Sequence, residues 1–286
     1  MTQNSLFSPD FGTIQSKPLG PHYQPLRVLI TVKAAPNPSE TYGETVCVAA
    51  LNLDLNNPGW IRLYPINYRE LDSDSRFGKY DIVRLEAKPN TGDPRAESWR
   101  PRIDSLVVEK HVKGWDRRMP YLEDYVEESM CELIQAVHQR PGARSLAAIR
   151  PKEILGIDIQ PHPGWTAEEQ TKIHRYVSQL DLFDSEPRTA LQAPRFKGWY
   201  RYRCHTATCG THRQGIFDWE FVALQRRFDD RDDASLVQVI REKFWDLMCA
   251  SDRDTIFYVG NQQAHPRSFI VLGVVYPRRP KPGPRS

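Results

Sequence analysis

Near Pro120 the hydrophobic residues of this chain change period, and that switch constrains the fold more than any other feature of the sequence. Upstream, five runs at 27–34, 44–53, 60–66, 80–88 and 105–112 are rich in the Val, Ile, Leu and Tyr of strands. Clusters such as Asn56-Asn57-Pro58-Gly59 and Asn90-Thr91-Gly92-Asp93-Pro94 supply turns between them, and 68–79 is a longer connection. Five such strands suit a small OB-like or SH3-like β-barrel over residues 26–115. Downstream, Leu122, Tyr125, Val126, Met130, Leu133, Ile134 and Val137 recur at threes and fours, which predicts an amphipathic helix ending near Pro141-Gly142. Thr166 followed by Glu169 is a capping-box start for a second helix reaching about Phe183. A third begins near Asp232 or Asp233, with Leu236, Val239, Ile240, Phe244 and Leu247 on one face. Strand-like runs at 255–261 and 268–276 follow. The pattern predicts an α+β chain: the barrel, a helical connector over 116–190 and a zinc-bearing α+β domain over 191–277.

No apolar run approaches the ~18–20 residues that span a bilayer. The first residues are polar and lack the apolar stretch of a secretory signal, so 1–25 reads as a flexible leader. Five cysteines, an odd number, do not make a disulfide framework, and a reducing cytoplasm is the expected compartment. A net charge of +3 decides little, but its distribution is uneven. Arg278, Arg279, Lys281 and Arg285 crowd the Pro-rich tail 278–286 with no acid among them, a composition suited to phosphate.

The zinc expectation rests on Cys204-His205-Thr206-Ala207-Thr208-Cys209-Gly210-Thr211-His212, two thiols and an imidazole in a C-x4-C-x2-H spacing. Gly210 supplies the backbone freedom of a tight metal loop. A structural site needs a fourth ligand, for which His205, Cys249 and His265 are candidates; an open fourth position makes the site catalytic. Cys47 lies mid-strand and Cys131 inside a predicted helix, so both read as core.

Just upstream, Arg195 to Arg203 holds four cations and four aromatics. On a strand, Lys197, Trp199, Arg201 and Arg203 share one face, with Phe196, Tyr200 and Tyr202 on the other. Cations for phosphates and an aromatic for a base are what a single-strand binder presents. The bland alternative is a core face backed by solvated charges. In the barrel, Arg62 and Tyr64 share a face, and Trp99, Arg100 and Arg102 form a second cation–aromatic cluster in an inter-strand loop, further candidates for nucleic acid. Downstream, Asp218 and Glu220 on a strand share a side and suit a divalent metal in a nuclease. A common nuclease pattern also wants a lysine two after the glutamate, where this chain has Val222; Asp218 reads alternatively as a helix cap. Walker, GxGxxG, HExxH and GxSxG motifs are absent.

The strings Glu44-Thr45-Val46-Cys47-Val48-Ala49-Ala50 and Gly59-Trp60-Ile61-Arg62-Leu63-Tyr64-Pro65, with the stretch from Pro194 to Glu220, resemble uncharacterised bacterial proteins with an OB-type N-terminal domain and a metal knuckle, some associated with conflict systems. The resemblance implies that front domain and knuckle, and no established activity. The expected function is nucleic-acid binding, to DNA or RNA, with zinc holding the basic strand rigid. The alternatives are a metal-dependent nuclease using Asp218 and Glu220, and a protein-interaction subunit of a defence system.

Overall fold

The computed structural model describes the chain except residues 1–19, 40–42, 55–58, 69–70, 72–75, 141, 179–189, 264 and 281–286. Most of the expected leader, the Asn56 turn, much of the 68–79 connection, the second helix beyond Ser178 and most of the basic tail lie outside the described residues.

The front half comprises β1 (Gln24–Lys33), β2 (Asn37–Ser39), β3 (Gly43–Asn52), β4 (Gly59–Ile66), β5 (Asp81–Pro89) and β6 (Ser98–His111). Five of them hydrogen-bond in the order β1-β5-β6-β4-β3 and close through a β1–β3 ladder, with β2 added beside β3. All pairs around the ring are antiparallel except β4 with β6. The result is a closed five-stranded barrel, consistent with the OB-like expectation. Closure removes exposed edges and directs Val28, Ile30, Val48, Ile61, Leu63 and Val83 into one core. β6 begins earlier than the 105–112 run indicates, so Trp99, Arg100 and Arg102 lie on a strand and not in a loop.

β1 reads as a continuous apolar run because both of its faces are covered. Leu29 and Val32 point away from the barrel core and join Ala49, Leu51, Trp60 and Ile82 against Leu146, Ala148, Ile256, Tyr258 and Leu272 of the second half. A strand buried on both sides loses the polar alternation of a half-exposed one.

The second half starts with helices α1 (Trp115–Leu122) and α2 (Met130–Gln139), separated by a 3-10 turn and the short β7 (Val126–Glu127). The single helix expected across Leu122 to Val137 is therefore broken. Ser129 and Glu132 have the spacing of a helix N-terminus, and the Ser129 hydroxyl accepts from the Glu132 N–H at 3.0 Å. β8 (Leu146–Ile149) and β9 (Glu153–Pro161) follow, so the expected helical connector also supplies strands. Then come α3 (Ala167–Ser178), β10 (Phe196–Arg203), β11 (His212–Gly215), α4 (Trp219–Arg227), α5 (Asp233–Arg241), β12 (Ile256–Gln262) and β13 (His265–Val275). The strands form a three-stranded sheet, β11-β10-β9, and a four-stranded one, β13-β12-β8-β7. At α3 the capping box forms in both directions between Thr166 and Glu169. Past α5 the helix widens to a π-turn over Glu242–Leu247. That wider turn rotates Leu247 off the face held by Leu236, Ile240 and Phe244. Leu247 is 43% exposed, and Met248 is buried instead.

Candidate functional site

Four sulfur and nitrogen ligands meet where β10 ends. Cys204 directly follows β10, Cys209 sits in the following turn, His212 opens β11 and Cys131 comes from the first turn of α2. Their ligand atoms all lie within 4.8 Å of one another, an arrangement that could hold a metal ion. The Cys131 and Cys204 sulfurs are 3.6 Å apart. Nε2 of His212 is 3.5 Å from the Cys131 sulfur and 3.2 Å from that of Cys209. Ligands of a tetrahedral zinc, at Zn–S near 2.3 Å and Zn–N near 2.0 Å, stand roughly 3.5–3.8 Å from one another. The donor set fits such an ion with four protein ligands.

The fourth donor of this cluster is not among the three residues expected from the sequence. His205 is exposed, and its backbone N–H donates to Glu128 O at 2.9 Å. His265 lies exposed at the start of β13, and the Cys249 thiol donates to Phe244 O at 3.5 Å. Cys131, read from the sequence as core, takes the place because α2 docks its N-terminal turn on the knuckle. Two contacts fix that docking: the His205–Glu128 bond and a 2.6 Å bond between the Ser129 and Thr206 hydroxyls. Burial tends to raise the Cys204 thiol, but hydrogen bonds from the Cys131 backbone, His212 and Thr206 outweigh it and bring the group down to about 5. Burial and the neighbouring Cys204 and Cys209 push Cys131 up to about 12. Without a cation Cys204 thus favours its thiolate and Cys131 resists ionisation, whereas a bound cation favours the thiolate at both.

β10 keeps the alternation its sequence indicates. Phe196, Tyr200 and Tyr202 are buried; Tyr200 stacks on Phe257 with ring centroids 4.6 Å apart and donates to Phe244 O at 2.6 Å. The opposite face carries Lys197, Trp199, Arg201 and Arg203, all at least partly exposed. Two arginines there already have carboxylates. Arg201 meets Asp158 at 3.0 Å and Arg203 meets Glu153 at 3.5 Å. A fourth cation, Arg213 of β11, lies across from Arg201, shares Asp158 at 2.9 Å and stacks over the Trp199 ring at 4.2 Å. Four exposed arginines and lysines beside Trp199 and two carboxylates remain net positive. Arg213 was missed because its place beside Trp199 depends on the β10–β11 register.

Residues 126–286, more than half of the chain, match a family described as a domain of unknown function, DUF8757. The chain belongs to the DUF8757 family. Residues 24–124 match a second family of that kind, DUF8758. No curated protein matches the chain. All four cluster residues and the basic face of β10 lie within the DUF8757 segment, and the barrel lies within the DUF8758 segment.

In the DUF8758 segment, two expected contact residues are internal. Trp99 is 2% exposed and belongs to the barrel core. Arg62 is 3% exposed and reaches into the DUF8757 segment, donating to the Ser145 hydroxyl at 3.0 Å and to Ser145 O at 3.2 Å. Ser145 also contacts Glu97 through both its hydroxyl and its N–H. Arg62 is a buried tie between the two segments, placed there because the second half covers the outside of β4. Tyr64 stays exposed, with its hydroxyl 3.2 Å from that of Thr45. Arg100 and Arg102 are exposed, and Arg102 pairs with Glu86 at 2.5 Å and stacks on Tyr23 at 4.1 Å.

Asp218 and Glu220 open α4 and do not lie on a strand. Asp218 caps the helix, accepting from the Glu220 N–H at 2.9 Å. A lysine from the connection before β5 stands beside the pair: Lys79 Nζ is 3.9 Å from carboxylate oxygens of both residues. Asp218 is 1% exposed. Burial pushes its carboxyl up to about 6, against the pull of Lys79. Burial also works against the charge on Lys79, but Asp218 and Glu220 outweigh it and hold the amine above its ordinary value.

Proposed function

We propose that this DUF8757 protein binds single-stranded nucleic acid on the outer face of the β9–β10–β11 sheet, with zinc held by Cys131, Cys204, Cys209 and His212. The observation that carries the reading is Trp199 lying partly exposed among Lys197, Arg201, Arg203 and Arg213, while the other side of the same strand is packed core. Cations on such a face meet phosphates, and the indole offers a stacking surface. Zinc suits the cluster because three thiolates and one imidazole are the donors of a structural site, and four protein ligands leave no position for substrate. Its role is to tie the end of β10, the start of β11 and α2 together, so that the basic face keeps its shape. Three thiols kept reduced for a metal favour the cytoplasm as the compartment.

A metal-dependent nuclease is the second reading, favoured by Lys79 standing 3.9 Å from both Asp218 and Glu220. Against it, Asp218 is buried and spends one oxygen on the α4 cap. The test is fluorescence anisotropy with labelled single-stranded DNA, single-stranded RNA and duplexes at low and moderate salt, alongside incubation with magnesium or manganese. Salt-sensitive binding without cleavage supports the first reading. Cleavage lost in Glu220→Gln supports the second. No binding to single strands or duplexes overturns the nucleic-acid reading and leaves a protein partner for this face.

A further inference from the structure

At the edge of the basic face lies a cavity of about 220 Å³ bordered by β10, β11, α4, the start of α3 and residues 35–37, and its walls include Trp165, Trp199, Phe217, His162, Lys197 and Gln192. At about 30 Å³ per water molecule the space holds roughly seven waters, the bulk of one planar heterocycle and too little for a run of nucleotides. We propose that this cavity receives a single unstacked base of the bound strand. The inference rests on the nucleic-acid reading and deepens it.

Five aromatic residues line the space, Phe196 and Phe221 besides Trp165, Trp199 and Phe217, and an aromatic wall suits a flat ring of any base. The walls also offer hydrogen-bonding groups that a purely apolar cage lacks. His162 accepts the Gly164 N–H on Nδ1 at 3.0 Å, so its neutral ring carries the proton on Nε2 and can donate. Burial, with Lys197 nearby, holds the imidazole below its usual value and keeps that neutral form. Lys197 donates, and the carboxamide of Gln192 both donates and accepts. Base edges present donors and acceptors side by side, and groups of this kind read them. Trp165 is held in place by its own indole N–H, which donates to Leu191 O at 2.8 Å.

Room beside Trp199 depends on one residue. Gly215 lies on the cavity wall opposite Trp199 in the β10–β11 register. A Cβ there stands 3.4 Å from the Phe217 ring and 3.6 Å from the Trp199 indole nitrogen. Those are ordinary contact distances, so a side chain can be accepted at the cost of the space between the two rings. Trp199 therefore borders both regions, with Arg213 stacked on it on the sheet face. A strand whose phosphates follow Arg201, Arg203 and Arg213 has a base-sized opening at its side.

The test compares wild type, Gly215→Val and Trp165→Ala, each checked by circular dichroism and thermal melting. The probes are a labelled single-stranded oligonucleotide, an abasic deoxyribose-phosphate strand of equal length, and nucleoside monophosphates. The proposal expects both variants to bind the base-bearing strand about five- to 150-fold more weakly, the loss of one stacked base. Their affinity for the abasic strand should match that of wild type. Wild-type affinity of a well-folded Gly215→Val for the base-bearing strand overturns the pocket while leaving the binding face standing. Binding of monophosphates alone, lost in Gly215→Val, overturns the strand reading and assigns the cavity to free nucleotides. Wild type that binds none of the probes overturns both.

Discussion

Replacing Lys79 by methionine removes the cation from a buried carboxylate, and the cost should depend on pH in a direction the structure sets. Lys79 is 10% exposed at its side chain, Asp218 1% and Glu220 37%, with 3.9 Å from the amine to each acid. A carboxyl moved from 3.8 to about 6 carries roughly 3 kcal/mol between its two protonation states. Because the folded value is raised, the folded chain binds the extra proton, and stability falls as pH climbs from about 4 to 6. At pH 8 Asp218 is ionised in the wild type, and Lys79 offsets part of its burial. Lys79→Met removes that offset, so the loss should reach about 3–5 kcal/mol at pH 8 and be smaller at pH 5, where Asp218 already holds a proton. Asp218→Asn behaves in the opposite way: it keeps the capping oxygen, removes the costly charge, and should leave stability at pH 8 unchanged or raised by up to about 3 kcal/mol. Asp218→Ala should fall about 1 kcal/mol below Asp218→Asn, the worth of the cap. Urea unfolding followed by circular dichroism at pH 5 and pH 8 measures all three. A loss of several kcal/mol in Asp218→Asn at pH 8 would refute the argument, because attraction to Lys79 would then exceed the burial cost.

Cys131→Ser is expected to release zinc as fully as Cys204→Ser or Cys209→Ser, while His205→Ala and Cys249→Ser keep about one ion per chain; elemental analysis of the purified variants decides, and full metal content in Cys131→Ser removes that residue from the site. Arg201→Gln and Arg203→Gln should each reduce the slope of log affinity against log salt by about 0.7 for single strands. Unchanged slopes place the phosphates elsewhere. Trp199→Ala should weaken binding by about 1–3 kcal/mol with little change in slope, and an equal loss of slope contradicts a stacking role. Arg62→Met should cost at least about 1.5–3 kcal/mol of stability, the range for a lost hydrogen bond to a charged group, yet leave the salt slope intact. A reduced slope there would put Arg62 on the binding face.

Local patterns were legible wherever neighbours in sequence decide the outcome. The strand runs before Pro120 became the closed barrel, since alternation and turn residues act over a few positions. The capping pair Thr166 and Glu169 starts α3 as its spacing indicates. Ser129 and Glu132 carry the same kind of signal inside the run from Leu122 to Val137, where helical periodicity masked it. Trp99 and Arg62 misled because an aromatic or a cation on a strand looks the same whether its face meets solvent or another layer.

By itself the sequence determined the α+β character, the barrel strands, the alternating faces of β10 and three of the four clustered residues, Cys204, Cys209 and His212. Those three lie close along one turn, so chain connectivity alone keeps them together. Tertiary structure alone decided the fourth residue of the cluster, the partners of the basic face and the fate of Asp218. Cys131 is 73 residues from Cys204 and reaches it only because α2 packs across the end of β10. Arg213 finds Trp199 through strand register, and Lys79 finds Asp218 through the barrel docking on the second half. Each of these pairings depends on where buried surfaces place distant backbone, which no spacing within a short segment encodes.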